Sequence, residues 1–381
     1  MLPVERMRAA YEHCSTDKIP VYHSGFSSRM ASAVLGREAY VGGGIQQWRE
    51  SCALWDGEEA HRDFLARSRR DAYDLARALD MDLVRPSYWR LAEKPTRRID
   101  EYTFLYGDPE GKWVVRSLDP RTELYQIVDQ SPSASITIDD LDRQVEEMER
   151  ATAEYRPVEE AFAATFDALA EFGGERAVPH MGISVGLPEN DVVWLEATVV
   201  RPDLVSRYVG ARAERMVRDV KFLADRGVQF FMGACDFAGN NGPFYSPKAY
   251  RDLVLPGVRR LTDVCHRCGA YYAFASDGNL WPVAEHLFGQ SGVDGYFEID
   301  RRAGMDLARL REAFPHLTLI GNVSSHSLHT GKQQEVIDET LSCLELAQRS
   351  GSLVVGCSNQ VVAETPIDNL MAMLDTIARY R

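Results

Sequence analysis

Short apolar runs recur along this chain, and each run ends in small or polar residues. Runs of this kind are typical of strands that are buried on both faces of a parallel sheet. The pattern predicts eight strands, at 19–26, 81–88, 177–186, 227–236, 269–278, 292–300, 317–325 and 352–359.

Amphipathic helical patterns lie between these runs, and they are most regular in the second half of the chain. Pro202, Pro247 and Pro366 stand at the starts of three of them, where a missing N–H costs nothing. The alternation of strand and helix predicts an α/β fold, most economically a parallel (β/α)8 TIM barrel. The clearest predicted helices are 202–226, 247–268, 306–314, 332–349 and 366–379.

One segment departs from this alternation. Residues 102–129 alternate between apolar and polar with a period of two and contain the turn sequences GDPEG and LDPRT. This pattern predicts an antiparallel β-hairpin or meander, inserted after the second strand. We therefore predict a single domain over 1–381 with an insertion at 95–135, which is expected to cap the barrel mouth or to form a dimer surface.

The composition is that of an ordinary globular protein of 381 residues, 45% of them hydrophobic and 26% charged. The net charge of −14 argues against nucleic acids and anionic membranes as partners, because both require basic patches. No apolar run is long enough to span a membrane, and the charged N-terminus lacks the apolar core of a secretion signal. Seven scattered cysteines do not suggest a disulfide framework, so a reduced, cytoplasmic protein is expected.

The candidate chemistry lies where the predicted strands end, because a (β/α)8 barrel carries its active site at the carboxyl ends of its strands. Asp236 and Asp277 end the fourth and fifth strands, and we predict both as catalytic. Neighbouring strands lie roughly 5 Å apart, so these acids and Glu298 could converge on a cation or share a proton. Alternatively, Glu298 could pair with Arg301 or Arg302. The predicted substrate-binding residues are His23, Arg29, Arg85, Asn240, Tyr245, Asn279, Glu298 and Asn322.

A metal site is predicted where the eighth strand meets the first, because Cys357 and His23 end these two strands. Together with Asp236 and Asp277 they form a Cys/His/Asp set that suits Zn²⁺. The acids could equally hold a harder divalent cation. Other interpretations stay open, since Cys357 could be a small buried hydrophobe and the stretch 277–279 could be a simple turn.

Four stretches resemble the uroporphyrinogen decarboxylase superfamily, which includes the decarboxylase and the methylcobalamin:coenzyme M type methyltransferases. They are GACDFAGNNGPFYSPKAYRDLVLPGVRRL, SDGNLWPVAEHL, GVDGYFEIDRRAGMDLARLREAFPHLTLIGNV and ETPIDNLMAML. The likeness covers 200–381 well and 1–90 loosely. It implies a (β/α)8 barrel, in agreement with the strand pattern, and it suggests a homodimer.

The chain departs from both branches of the superfamily at their motifs. The zinc methyltransferases have His-x-Cys-Gly after strand five, where this chain has Ala275 and Asp277. Their further Cys after strand eight falls at Cys357 or Asn359. The decarboxylase has an arginine-rich first loop, an Asp after strand two and Gly-His-Gly after strand eight, of which this chain keeps Arg29 alone. The usual zinc thiolate set and a substrate with many carboxylates are therefore not expected.

The resemblance and the strand-end residues together favour a methyltransferase-like enzyme that moves a methyl group between a small substrate and a corrinoid, pterin or thiol acceptor. Zn²⁺ or another divalent cation is the expected cofactor, and a corrinoid would arrive on a partner protein because the chain has no DxHxxG segment. Two alternatives stay open. One is a metal-free decarboxylase or lyase acting on a small carboxylated substrate, and the other is a non-catalytic subunit that binds a small molecule or a corrinoid protein.

Overall fold

The computed structural model describes residues 1–132, 136–188 and 191–381. Its strands are β1 (Gly25–Phe26), β2 (Arg97–Arg98), β3 (Thr103–Gly107), β4 (Trp113–Asp119), β5 (Leu124–Gln130), β6 (Pro179–Met181), β7 (Phe230–Ala234), β8 (Ala238–Gly239), β9 (Gly242–Pro243), β10 (Tyr271–Ala275), β11 (Gly295–Phe297), β12 (Thr318–Ile320), β13 (Leu353–Val354) and β14 (Gln360–Val361). Six of them form one parallel sheet in the spatial order β13-β12-β11-β10-β7-β6. The predicted third to eighth strands make up this sheet.

The α-helices are α1 (Pro3–Tyr11), α2 (Ser28–Leu35), α3 (Gly44–Asp56), α4 (Glu58–Ala78), α5 (Ile138–Glu154), α6 (Ala163–Phe172), α7 (Val192–Val200), α8 (Pro202–Ala224), α9 (Pro247–Ala249), α10 (Leu255–Arg267), α11 (Leu307–Ala313), α12 (Ser325–Thr330), α13 (Gln333–Ser350) and α14 (Ile367–Tyr380). The helix predicted at 247–268 is interrupted by a π-helical turn at Tyr250–Val254. This turn lies just ahead of Pro256, which has no N–H to continue a regular ladder. Among the described residues, no helix is both long and apolar enough to cross a membrane.

The central sheet is buried on both faces, as its apolar strands require. In the pair of β7 and β10, Phe230 stands opposite Tyr271 and the ladder continues to the ends of both strands. Gly233 lies in the middle of β7, where a side chain would collide with the carbonyl oxygen of Ile183. The hydroxyl of Tyr272 donates to that same oxygen at 2.8 Å. These contacts fix the two strands that lead to the first candidate acids.

The first two predicted strands meet this sheet through single bridges rather than long ladders. Val21 bridges to Val355, and Leu83 bridges to Ala177, both in the parallel sense. The N–H of Asp82 donates to the carbonyl oxygen of Val21 at 2.9 Å, so the two segments also contact each other. The protein therefore has an α/β fold with six strands in one parallel sheet and two short parallel segments attached to it.

Residues 97–130 form a separate antiparallel sheet in the order β2-β3-β4-β5. The period-two pattern predicted antiparallel strands over 102–129, where β3, β4 and β5 lie, and β2 adds a fourth strand ahead of that stretch. Their buried aromatic side chains, such as Phe104 and Tyr106, pack against α3. A role of this sheet at a barrel mouth or in a dimer stays a prediction, and positions 133–135 of the predicted insertion lie outside the described residues.

A carboxylate fixes the antiparallel sheet to the loop that follows the first strand segment. Glu123 lies in the turn between β4 and β5 and is 8% exposed. Its two oxygens accept the N–H groups of Ser28 and Arg29 at 2.7 and 2.8 Å, at the start of α2. Free N–H groups at a helix start are a favourable site for a carboxylate. The antiparallel sheet is thereby held close to the end of the first strand segment.

One buried carboxylate joins both ends of the chain to the central sheet. Asp82 is 0% exposed. It accepts hydrogen bonds from Arg6 and Arg381 at 2.8 Å each and from the N–H of Val21 at 2.9 Å. Since removal of one partner from a buried ion pair leaves the other charge uncompensated, this contact should contribute strongly to stability.

Replacing Asp82 by Asn should lower the free energy of unfolding by about 3–5 kcal/mol, because two largely buried guanidinium groups would lose the buried carboxylate that they share and would keep only the exposed Asp17 and Asp80. Asp17→Asn is the matched control, since Asp17 pairs with the same Arg6 from an exposed position and its loss should have a much smaller effect. Urea unfolding followed by circular dichroism measures both. Equal losses in the two variants would contradict this account.

Candidate active site

Four acidic side chains gather at the carboxyl ends of neighbouring strands. Asp236 follows β7, Asp277 follows β10, and Glu298 and Asp300 follow β11. The N–H of Asp277 donates to Oδ1 of Asp236 at 3.1 Å. The N–H of Gly278 donates to Oδ2 of Asp300 at 3.2 Å. The structure thus brings together the three acids that the strand ends suggested, and Asp300 joins them.

The turn after β10 explains why a glycine follows Asp277. Gly278 has a φ of +90°, and a Cβ at this position would lie 2.5 Å from the carbonyl oxygen of Ala238. Only glycine fits this conformation and this close approach. Asn279 was predicted to bind substrate, but its Oδ1 accepts the N–H of Trp281 at 3.1 Å and so stabilises the turn.

Asp277 is half-buried, and its carboxyl group has an amide donor. Nδ2 of Asn359 lies 3.3 Å and 3.2 Å from its two oxygens. Burial, followed by the charges of Asp236 and Asp300, raises the pKa of Asp277 to about 6, and the bond from Asn359 opposes this rise. Near neutral pH this carboxyl group can therefore both hold and release a proton.

Glu298 is the second group that holds a proton. Burial raises the pKa of Glu298 to about 7; the hydroxyl of Ser24 opposes this rise and the charge of Asp277 adds to it. Oγ of Ser24 donates to its Oε1 at 2.9 Å. Glu298 has a backbone φ of +60°, which is strained for a residue other than glycine. Strain of this kind is often found at functional sites. The alternative pairing with Arg301 is not made, since Arg301 binds Glu339 at 2.8 Å.

Asp277 and Glu298 line a cavity of about 160 Å³. Its other walls include Asp300, Arg302, Ser324 and Asn359. Sites for drug-sized ligands usually measure about 300–1,000 Å³. This cavity is therefore suited to a substrate of only a few heavy atoms.

Arg85 lies close enough to Glu298 for its charge to oppose the rise in the pKa of that residue. Its guanidinium carbon stands 4.3 Å from the centre of the Trp89 ring. Nη1 donates to the carbonyl oxygen of Ser24, and Nε donates to that of Ser87 at 3.3 Å. These contacts hold the guanidinium in place. Its positive charge is therefore held in a fixed orientation near Glu298. Within the described part of the chain, Arg85 forms no ion pair with a carboxylate.

Among the described residues, Glu298 is the one predicted substrate-binding residue that lines the acid cavity, and Arg85 lies beside it rather than in its wall. The side chain of Arg29 is exposed at the start of α2, and Asn240 is exposed in the turn between β8 and β9. Tyr245 stacks on Phe237 with ring centroids 5.6 Å apart. Asn322 is fully buried, and its Nδ2 donates to a backbone carbonyl at 3.4 Å. A role of these four residues in substrate binding stays a prediction.

The four predicted zinc ligands are not brought together. His23 is 1% exposed, and its Nδ1 accepts the N–H of Cys357 at 3.1 Å. Burial lowers the pKa of His23 to about 4 and raises that of Cys357 to about 12, so the thiol stays protonated and donates to the carbonyl of Asn359 at 2.9 Å. Across the described ranges, no group of three or more His, Cys, Asp or Glu side chains could hold a metal ion. The donor set Asp236, Asp277, Cys357 and His23 therefore does not fit zinc.

The alternation of side chains along an extended strand explains this outcome. Tyr22 and Ser24 lie on one side of the first strand segment, and His23 points to the other side. Ser24 reaches Glu298 from that first side. The side chains of Arg85 and Glu298 act on the pKa of Tyr22 as well. Tyr22 thus occupies the position beside the acids that was expected for His23.

Three residues of this site were not among the predicted ones. Asp300 stands two residues after Glu298, and the same alternation could have indicated that it shares the side of that acid. Asn359 is one of two positions at which the family's last cysteine can be aligned. No sequence pattern pointed to Tyr22 itself, apart from its position next to the predicted residue His23.

Parallel strands with acidic residues at their carboxyl ends are the arrangement in which α/β enzymes carry their active sites. A profile of the family described as Uroporphyrinogen decarboxylase (URO-D) matches residues 186–380, and the chain belongs to this family. A solved structure, a methyltransferase from Methanosarcina mazei, aligns over 100% of this chain and 99% of its own at 15% identity. Its TM-score of 0.62 shows a shared fold. No curated protein matches the chain.

The raised pKa values predict how stability depends on pH. A carboxyl group with a higher pKa in the folded chain than in the unfolded chain stabilises the fold fully below about pH 4, and this contribution is lost as the pH rises through about 6 to 7. Glu298→Gln removes one such group. Between about pH 4.5 and about pH 8, the variant should gain on the order of 1–3 kcal/mol in unfolding free energy relative to the wild type, as measured by urea unfolding.

Glu149→Gln is the matched control for this experiment, since the side chain of Arg207 lowers the pKa of Glu149. The contribution of such a group is lost only as the pH falls below about 4.5, so the stability of this variant relative to the wild type should change little between the two pH values. A difference between Glu298→Gln and the wild type that stays the same at both pH values would contradict the raised pKa of Glu298.

Proposed function

We propose that this chain is a methyltransferase-like enzyme whose proton donors are carboxyl groups. It does not use a zinc site with thiolate ligands. The observation that carries the proposal is the pair of carboxyl groups at one small cavity, Asp277 and Glu298, with pKa values of about 6 and 7. A general acid is most effective when its pKa lies near the working pH. The shared fold with a methyltransferase supports methyl transfer as the class of reaction.

The substrate in this proposal is a small molecule that carries an anionic group. The cavity of about 160 Å³ limits its size. Arg85 is fixed by Trp89 and by two backbone carbonyl oxygens, and it has no carboxylate partner within the described residues. A carboxylate on the substrate would supply that partner.

In the proposed step, the bond between the methyl carbon and an oxygen or nitrogen atom of the substrate breaks. The acceptor supplies the electron pair of its new bond to the methyl carbon, and the old pair stays on the oxygen or nitrogen. Asp277 or Glu298 gives its proton to that atom, so that a neutral alcohol or amine leaves instead of an anion. The hydrogen bonds from Asn359 and Ser24 keep the two carboxyl groups oriented.

The acceptor would reach the cavity from outside. A volume of about 160 Å³ is too small for a corrin ring, so a corrinoid would have to be presented by a partner protein. A thiol or a pterin would also approach through the cavity mouth. Zinc has no part in this proposal, because its predicted donor set does not fit.

Decarboxylation of a small carboxylic acid is the second candidate, and the position of Arg85 favours it. Arg85 could hold the carboxylate that is lost as CO₂. The carbon–carbon bond would break with its electron pair left on the substrate carbon, and Asp277 would then protonate that carbon. This step uses the same acids without any acceptor.

We also propose that the eight strand segments close into a (β/α)8 barrel around this site. The bridges Val21–Val355 and Leu83–Ala177 support closure, because they attach the first two segments to opposite edges of the six-stranded sheet. The antiparallel sheet at 97–130 would then be an insertion that follows the second barrel strand.

A paired assay tests the reaction class. The protein is incubated with methoxyacetate or N-methylglycine, with cob(I)alamin or 2-mercaptoethanol as the acceptor. The methylated acceptor is detected by mass spectrometry, and CO₂ release is measured in parallel. A methylated acceptor supports methyl transfer, and CO₂ alone moves the assignment to decarboxylation. If neither product forms over a series of small carboxylates, both proposals fail and a binding subunit is left.

With an active substrate, Asp277→Asn and Glu298→Gln should each lower kcat/KM by about 10²–10⁴-fold, because each removes a proton donor. Cys357→Ser should stay within a few-fold of the wild type, since the Cys357 thiol is protonated and buried. A loss in Cys357→Ser as large as that in Asp277→Asn would argue for a thiolate and against this mechanism.

A further inference from the structure

The hydroxyl group of Tyr22 is buried without a hydrogen-bond partner among the residues that the structure describes. The side chain is 0% exposed. Burial of an unpaired hydroxyl group lowers stability, and such groups are uncommon in folded proteins. Its presence in this position therefore requires a reason.

The polar groups around this hydroxyl belong to the acid site. Arg85 and Ser24 stand near enough to this hydroxyl to lower the pKa of Tyr22, and the charge of Glu298 raises it. Among the described residues, none of them meets the oxygen at the distance and angle of a hydrogen bond. Tyr22 and Ser24 are two residues apart, so they share one side of the first strand segment. Ser24 reaches Glu298 from that side at 2.9 Å. The phenol of Tyr22 therefore lies on the side that faces the acids.

Two hydrogen-bond donors are available at this place. Burial raises the pKa of Tyr22, so its hydroxyl stays protonated, and Arg85 is permanently charged. Nε and Nη1 of Arg85 bond to backbone carbonyl oxygens, which leaves Nη2 for another acceptor. A phenol O–H and a guanidinium N–H side by side match the two oxygens of one carboxylate.

We infer that Tyr22 and Arg85 together bind the carboxylate group of the substrate, one oxygen on the phenol and the other on the guanidinium. The inference rests on the proposed function and narrows its substrate to small carboxylates. The reacting part of such a substrate extends from this subsite toward Asp277. Tyr22 is a binding residue in this arrangement, while Asp277 and Glu298 hold the protons.

Tyr22→Phe tests the inference because it removes the hydroxyl and keeps the ring. The variant loses an unpaired buried hydroxyl, so its melting temperature should stay the same or rise by about one or two degrees. At the same time it should bind a small carboxylate at least tenfold more weakly, which corresponds to about 1.4 kcal/mol. If the side chain of Tyr22 only filled space, the variant would keep or raise its melting temperature and would still bind the carboxylate as tightly as the wild type.

Tyr250→Phe is the matched control. Tyr250 is also buried, and its hydroxyl likewise has no partner in the described ranges. It lies in an aromatic stack, with its ring centroid 5.3 Å from that of Phe237. This variant should show the same change in melting temperature as Tyr22→Phe and should bind carboxylates like the wild type.

Binding is measured without turnover, by ligand-detected NMR titrations with sodium acetate and sodium methoxyacetate at constant ionic strength. The expected result is saturable binding to the wild type and to Tyr250→Phe, with a dissociation constant at least tenfold higher in Tyr22→Phe. Unchanged binding in Tyr22→Phe overturns the inference, and so does the absence of saturable binding to the wild type. Because no catalysis is needed, the kinetic assays of Asp277 and Glu298 judge the proposed function separately.

Discussion

The burial of acidic side chains at the carboxyl ends of β10 and β11 is the constraint on which the rest of this site depends. A buried carboxylate loses its hydration, and neighbouring carboxylates repel it further. Asp277 and Glu298 experience both effects, with Asp236 and Asp300 close by. By holding protons near neutral pH, the two side chains avoid the free-energy cost of a buried negative charge. The same protons make them acids that can act on a substrate.

The two acids differ because their donors and their depth of burial differ. The amide of Asn359 bonds to Asp277, whose pKa is about 6. The hydroxyl of Ser24 bonds to Glu298, whose pKa is about 7. Neighbouring carboxyl groups with separated pKa values can divide the roles of acid and base. In one small cavity, one of these carboxyl groups could therefore donate a proton and the other accept a proton within a single turnover.

The general architecture and the acid cluster could be predicted from the sequence, but the orientation of single side chains could not. Parallel strands end at one edge of a sheet, so acids placed there meet even if the exact register is unknown. The side to which His23 and Cys357 point depends on a shift of one residue. The first strand segment meets the eighth at the single bridge Val21–Val355 and pairs again through the short strands β1 and β14, so no continuous ladder signals its register. The period-two pattern was more informative, and antiparallel strands occupy 97–130.

The presence of Tyr22 rather than His23 beside the acids decides which chemistry the site can perform. A histidine would add a metal ligand, whereas a buried tyrosine adds a neutral hydrogen-bond donor. Asp277 stands at the position where the resemblance to the zinc methyltransferases implies a cysteine, and the thiol of Cys357 is protonated in its buried position. A buried thiolate needs a compensating cation, but a carboxyl group can lose its charge by taking up a proton. A site of this kind can balance its acids by protonation, and within the described residues Arg85 stands beside Glu298 without a carboxylate partner of its own.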